Sequence, residues 1–348
     1  MKKILFVATV YRVGERIYSV IPELSKHFDL DLLLINEMSK EMNWYGDTDQ
    51  RDIFHSLYDT HFDEIFDAGF KSTNSNPSKM LSSIDVNKYD LILYDDDRKR
   101  YGIGELYNIS DTPMVGCIHG AGVGFGSDRF GVISDYLFVF GEKDHRENNF
   151  NKNVFKIGIP SNDVLRGYER TDKHILVIVN FLANRGCPYK IQVDRNYIEK
   201  SGLKELQREF NKKIIFKLKS RLDHPYPQKD IDYLNSIAYD LDYEIVIDCE
   251  DNNKLIADSF IVISAPSTLS FKSIQMGIPT ILIKGSGSEK GHFNNFRGMV
   301  DLDTQQIFDE IERQYKSGRD IDFIRDTVEG GDEFNSTEKF LDCVGKII

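Results

Sequence analysis

Three stretches of the chain carry residue types that could do chemistry. The first is CIHGAGVGFG, Cys117 to Gly126, in which His119 is followed by Gly120 and by further glycines at every second position. An imidazole titrates near neutral pH and can take the proton of an attacking hydroxyl, and glycines admit a ligand where side chains would exclude it. The second is SFIVISAPSTLSFKSIQMGIPTILI, Ser259 to Ile283: an apolar run ending at Ser264, a turn at Pro266, then helical spacing from Ser267 or Thr268 to Gly277. Hydroxyls and open N–H groups at a helix start make an anion site. Taken alone, Ser267 serves equally well as a simple N-cap. The third is KIIFKLKSRLDHPYP, Lys213 to Pro227, whose Lys217, Lys219, Arg221 and His224 would form a cationic wall for a diphosphate, or else a solvated basic strand edge.

Other positions carry a weaker signal. Arg12 and Arg16 flank Gly14 after the first apolar run and suit substrate or phosphate binding, and His292 stands in the glycine-rich KGSGSEKGHFNNFRG. Gly158 and Pro160 of FKIGIPSNDVL suit a sharp turn, with a backbone contact to a ligand open to Gly158. Asp95, Asp96 and Asp97 could hold a metal or merely cap the next helix; no metal is expected. The glycines after His119 are not a dinucleotide fingerprint, which follows the first strand and opens a helix.

Short apolar runs must position these residues. KILFVAT, DLDLLLIN, DEIFDAG, DLILYD, MVGCIH, YLFVFG and VFKIG alternate with helical spacing, as over Glu15 to His27 and Ser39 to Tyr58. After the polar stretch RGYERTDK, Arg166 to Lys173, the rhythm restarts with HILVIVNF, KIIFKLK, YEIVID, SFIVIS and PTILIK. Strands alternating with helices predict parallel sheets. The fold class is therefore α/β, with two Rossmann-like doubly wound domains, residues 1–168 and 169–330, facing a central cleft, and a C-terminal helix in 331–348 that packs back across the junction. Ligands of such sheets bind after the strands' C-terminal ends.

Composition narrows the partners. The chain has 348 residues, 41% of them hydrophobic, and a net charge of −12 from 44 basic and 56 acidic residues, which argues against nucleic acid or an anionic membrane as a partner held by charge alone. Its four cysteines form no CxxC pair, which fits a reducing cytoplasm. MKKILFVATVYRVGE reads as a first buried strand, and no run approaches the ~20 apolar residues of a membrane span, leaving peripheral association with the inner membrane face.

The pattern strand, S-x-x-S-T, helix, G-x-P, strand, approached by KLIADSFIVIS, resembles the nucleotide-diphosphate site of GT-B glycosyltransferases, with Lys272 standing where many of them carry an acidic residue for the donor ribose. The Arg221/His224 segment, the G-x-P-x-x-D-x-L of Gly158 to Leu165, and the His119–Gly120 pair resemble CDP-glycerol glycerophosphotransferase-like enzymes, whose histidine is the general base. The last two of these regions resemble, more weakly, the non-hydrolysing UDP-N-acetylglucosamine 2-epimerases, whose H-x-E-A-G motif lacks its glutamate here, the run being His119-Gly120-Ala121-Gly122.

The resemblance implies a metal-independent, cofactor-free transferase of surface-glycan assembly. It would move a glycosyl or polyol-phosphate group from a nucleoside mono- or diphosphate donor, bound by residues 169–330, to a glycan or lipid-linked acceptor entering over residues 1–168. His119 would be the base. Arg221, His224, Ser264, Ser267, Thr268 and Gly158 would hold donor phosphate, with Arg12, Gly120, Lys272 and His292 as further substrate contacts. The alternatives are a sugar-nucleotide 2-epimerase and a catalytically silent sugar-nucleotide-binding subunit.

Overall fold

The computed structural model describes residues 1–8, 16–34, 56–67, 84–95, 110–118, 134–147, 153–179, 182–183, 192–218, 228–247, 249, 251–285 and 293–348. Two compact units emerge. Residues up to Asp163 together with Arg325–Ile348 form the first, and Val164–Ile324 the body of the second.

In the first unit β1 (Lys3–Ala8), β2 (Asp29–Leu34), β3 (Glu64–Asp67), β4 (Leu91–Tyr94), β5 (Met114–Cys117), β6 (Tyr136–Val139) and β7 (Asn153–Lys156) make one sheet in the order β3-β2-β1-β4-β5-β6-β7. Every pairing is parallel. The apolar runs are continuous because both faces are covered: Phe6, Leu32 and Leu93 enter one core and Leu5, Leu33 and Ile92 the other. Two short helices, α1 (Ile21–Leu24) and α2 (Glu142–Glu147), follow β1 and β6. Of the helix expected over Ser39 to Tyr58, only its last residues are among those described, and they are helical.

The second unit repeats the plan with β8 (His174–Val179), β9 (Lys213–Leu218), β10 (Tyr243–Val246), β11 (Ser259–Ser264), β12 (Thr280–Ile283) and β13 (Met299–Val300), ordered β10-β9-β8-β11-β12-β13 and again all parallel. Its helices are α3 (Arg195–Lys200), α4 (Leu203–Phe210), α5 (Gln228–Ile237), α6 (Asn252–Ala257), α7 (Thr268–Gln275), α8 (Thr304–Ser317) and α9 (Ile321–Thr327). Both sheets fall where the apolar runs lie. β13 is an addition: its two residues are too few to show a period.

The chain then returns to the first unit. The boundary falls inside α9, and α10 (Ser336–Ile347) buries Phe340 and Val344 in the core with Phe138, the rings of Phe340 and Phe138 meeting edge to face at 5.1 Å. Residues 331–348 are therefore part of the first unit, and the other crossing lies at Asp163, a few residues before the polar stretch.

GIPSNDVL explains this return. The Asp163 carboxylate accepts from the backbone N–H of Ser336 at 3.0 Å and of Thr337 at 2.6 Å, capping α10 across the sequence. Gly158 is buried with φ +73°, and a Cβ there would overlap the Glu329 carbonyl oxygen and Ser336 Oγ. Packing against the returning segment thus requires a glycine here, and its N–H donates to the Phe140 carbonyl at 3.0 Å.

At the opposite end of the second sheet from the strand exits, His174 opens β8 only 7% exposed, its Nε2 3.1 Å from the Leu255 carbonyl. Burial lowers its pKa against the pull of that carbonyl and of Asp258.

Asp163→Ala strands two N–H groups and costs about 1–2 kcal/mol; Gly158→Ala costs more, since it adds backbone strain to overlap. Denaturant titration ranks the two, and a Gly158→Ala protein as stable as wild type would contradict the packing role. For His174 the folded pKa lies below the unfolded value of about 6.5, so the unfolded chain binds the proton first and stability is lost as pH falls below about 6.5. The stability lead of wild type over His174→Asn should shrink between about pH 7 and pH 5.5, and a constant lead would refute the assignment.

Candidate functional site

The order of the second sheet fixes where a ligand belongs. From β8 the chain steps to β9 on one side, and from β11 to β12 on the other, so neighbouring β8 and β11 straddle the topological switch point. β11 is the SFIVIS run, and its last residue, Ser264, is fully buried with its hydroxyl donating to the Ala265 carbonyl at 2.5 Å. Ala265 and Pro266 turn the chain. Ser267 is extended (φ −153°, ψ 162°) and α7 starts at Thr268.

Ser267 occupies the N-cap position but its side chain caps nothing; Ser267 Oγ lies 3.0 Å from Ser270 Oγ instead. Neighbouring helices are closed differently. Asp194, Asp251 and Asp303 each cap a helix with a carboxylate that accepts from its first turn. In α7 the first turn is Thr-Leu-Ser-Phe, without an acid, so the partial positive charge of the helix start is not offset by its own sequence. N–H groups of a first turn point away from the helix body, here beyond the end of β11. The arrangement suits a bound anion.

What lies beneath holds α7 in place. Ser270, Ser273 and Thr280 are fully buried, with Thr280 Oγ1 donating to Ser273 Oγ at 2.8 Å, and these small side chains let α7 sit close on the sheet. Phe271 stacks on Phe293 at a centroid distance of 4.3 Å, and Gly277, with φ +73°, ends the helix.

Lys272 is drawn away to the side. Its Nζ donates to Asn253 Oδ1 of α6 at 2.8 Å. Asp251, the cap of α6, accepts from the N–H groups of Asn253 and Lys254, each at 2.9 Å, and from the Tyr168 hydroxyl at 2.8 Å. Partial burial pushes the Asp251 carboxyl up, but those three donors outweigh it and its pKa ends below the ordinary value; Tyr168 is raised in turn by Asp251. The ribose-side acid of the resemblance is thus replaced by an amine already engaged by an amide.

Several expected site residues lie outside the described residues: Arg12, His119, Gly120, Arg221, His224 and His292, with Lys219. Their chain neighbours are placed. β5 ends at Cys117, with Ile118 buried just before His119, and Phe293 is fully buried just after His292. Lys217 departs from expectation. It is 4% exposed and donates to the carbonyls of Leu218 at 2.9 Å and Ile247 at 2.6 Å, so it is no part of an open cationic wall.

In the first unit the switch point lies between β1 and β4. Asp95, directly after β4, is 2% exposed and accepts from the Tyr18 hydroxyl at 2.6 Å. Nothing in the spacing of Tyr18 and Asp95, or of Tyr168 and Asp251, announces these pairs, because each joins residues distant in sequence.

No protein-family model matches the chain, and no curated protein is detectably similar to it. Solved structures are similar from end to end. The UDP-GlcNAc 2-epimerase of Methanocaldococcus jannaschii shares 14% identity over 99% of this chain and 100% of its own, with a TM-score of 0.66. The UDP-GlcNAc 2-epimerase of Neisseria meningitidis, bound to UDP-GlcNAc, shares 14% over 99% and 100%, with a TM-score of 0.61. A glycosyltransferase of Rickettsia africae shares 12% over 99% and 98%, with a TM-score of 0.60. With its two parallel sheets of seven and six strands, the chain has the GT-B-like fold common to UDP-GlcNAc 2-epimerases and glycosyltransferases.

Proposed function

We propose that the chain is an enzyme acting on a nucleoside-diphosphate sugar, with the diphosphate held at the start of α7 and the sugar altered by epimerisation. The observation that carries the binding reading is the N-terminus of α7 at the switch point, lacking an acid of its own and flanked by Ser264, Ser267 and Thr268. Similarity over the whole length to UDP-GlcNAc 2-epimerases supports epimerisation over transfer.

Inverting C2, whose C–H is not acidified by a carbonyl, requires a base to take its proton as the anomeric C–O bond to the diphosphate breaks, and an acid to return a proton on the opposite face as that bond re-forms, so a base and an acid must flank the carbon. Asp95 is buried under Tyr18. His119 is proposed as one proton carrier, and Asp96 and Asp97, which like His119 lie outside the described residues, as the source of the other. Arg221 and His224 are proposed donor-phosphate contacts, with Arg12, Gly120 and His292 contacting the remainder of the substrate, while Lys272, held by Asn253, seats α7 beside it. No metal or cofactor enters this scheme.

A second reading rests on Gly120. With the glutamate of the epimerase motif absent, His119 would act alone as the base for an acceptor hydroxyl, and a glycosyl or polyol-phosphate group would be transferred, as in CDP-glycerol transferase-like enzymes. The negative charge developing on the leaving phosphate would be met in either reading by the same helix start.

UDP-GlcNAc incubated alone and followed by proton NMR decides between the readings. Epimerisation yields a second sugar nucleotide without an acceptor; stable UDP-GlcNAc that is bound but unchanged contradicts it and leaves transfer or a silent binding role. His119→Ala should abolish turnover with nucleotide affinity intact. Ser267→Ala should weaken UDP binding about tenfold, near 1.4 kcal/mol; unchanged affinity by calorimetry would remove α7 as the phosphate site.

A further inference from the structure

Lys217 is a buried cation that the proposed chemistry does not use. Alternation along β9 sends Ile214, Phe216 and Leu218 into one core. It turns Ile215, and two residues later Lys217, toward the face lined by Leu176, Ile178 and Ile256. An apolar side chain would sit there without cost, whereas an ammonium taken from water costs several kcal/mol unless its hydrogen bonds are replaced. Among the described residues the carbonyls of Leu218 and Ile247 accept from it.

The position of Ile247 gives those bonds a meaning. The β9–β10 register ends with Val246 paired to Lys217, and Ile247 is the next residue out. The ammonium takes hold of the chain where the ladder stops. From there the path leads to Asp251, which caps α6, then to Asn253, whose amide oxygen receives Lys272 of α7. Three residues of chain separate Ile247, held by Lys217, from Asp251, and Asn253 ties α6 in turn to α7, whose N-terminus is the proposed anion site.

We propose that Lys217 is a positioning residue for nucleotide binding: by fixing the exit of β10 it sets the first turn of α6, and through Asn253 and Lys272 the seat of α7. This rests on the reading of α7 as a diphosphate site. Lys217 touches no ligand in this account.

The test compares full-length wild type with Lys217→Met and Lys217→Arg, by amide hydrogen exchange over residues 243–257 and by calorimetry with UDP. The expected result is a folded Lys217→Met protein whose 243–257 amides exchange faster and whose UDP affinity falls about tenfold, both largely restored in Lys217→Arg. Unchanged exchange over 243–257, or unchanged UDP affinity, would overturn the proposal. Should Lys217→Met not fold, Lys217→Gln, which keeps a donor for one carbonyl, takes its place under the same two readings. A wild type that binds no UDP removes the functional reading instead, and exchange over 243–257 then decides the positioning role by itself.

Discussion

An uncompensated helix start is the constraint on which the functional account depends. A helix carries about half a positive charge at its N-terminus, together with N–H groups that have no partner inside the helix. In the second unit three helix starts are answered by aspartates, and α7 is answered by a serine whose hydroxyl turns to Ser270. That helix is also the one that follows β11 at the switch point. Its buried hydroxyls, its stack of Phe271 on Phe293 and its tie to α6 through Lys272 all hold the unsatisfied end in a fixed place. Preorganised donors are useful for binding and for stabilising charge on a leaving phosphate alike.

The first unit is governed by a different necessity, the return of the chain. Its core is completed by α10, which adds Phe340 and Val344 to residues contributed by the first strands. One carboxylate, Asp163, and one glycine, Gly158, seat that helix. The motif that resembles a ligand segment in sequence is thus, in this unit, the fastening between the first half of the chain and its last helix.

How much was legible beforehand differs with the kind of interaction. The strands were readable because a parallel sheet covered on both faces demands unbroken apolar runs, and HILVIV or SFIVIS admit little else. The start of α7 was readable from Pro266, Ser267 and Thr268, since turn and helix-start residues act over a few positions. Lys217 was misjudged: strand alternation alone says which face it occupies, but not that α6 and α7 cover that face or that two carbonyls wait beyond the ladder. Gly158 reads in sequence as a turn residue with a phosphate contact open to it, because a positive φ and a close neighbour look alike whether the neighbour is a phosphate or a carbonyl. Tyr18 with Asp95 and Tyr168 with Asp251 left no local trace, being contacts between residues dozens of positions apart.

The central claim, that α7 binds the diphosphate of a nucleotide, is tested most directly by a crystal structure of the chain with UDP. The account predicts phosphate oxygens within hydrogen-bond distance of the backbone N–H groups of Thr268 and Leu269 and of Ser267 Oγ. UDP bound elsewhere, with the first turn of α7 untouched, would contradict it.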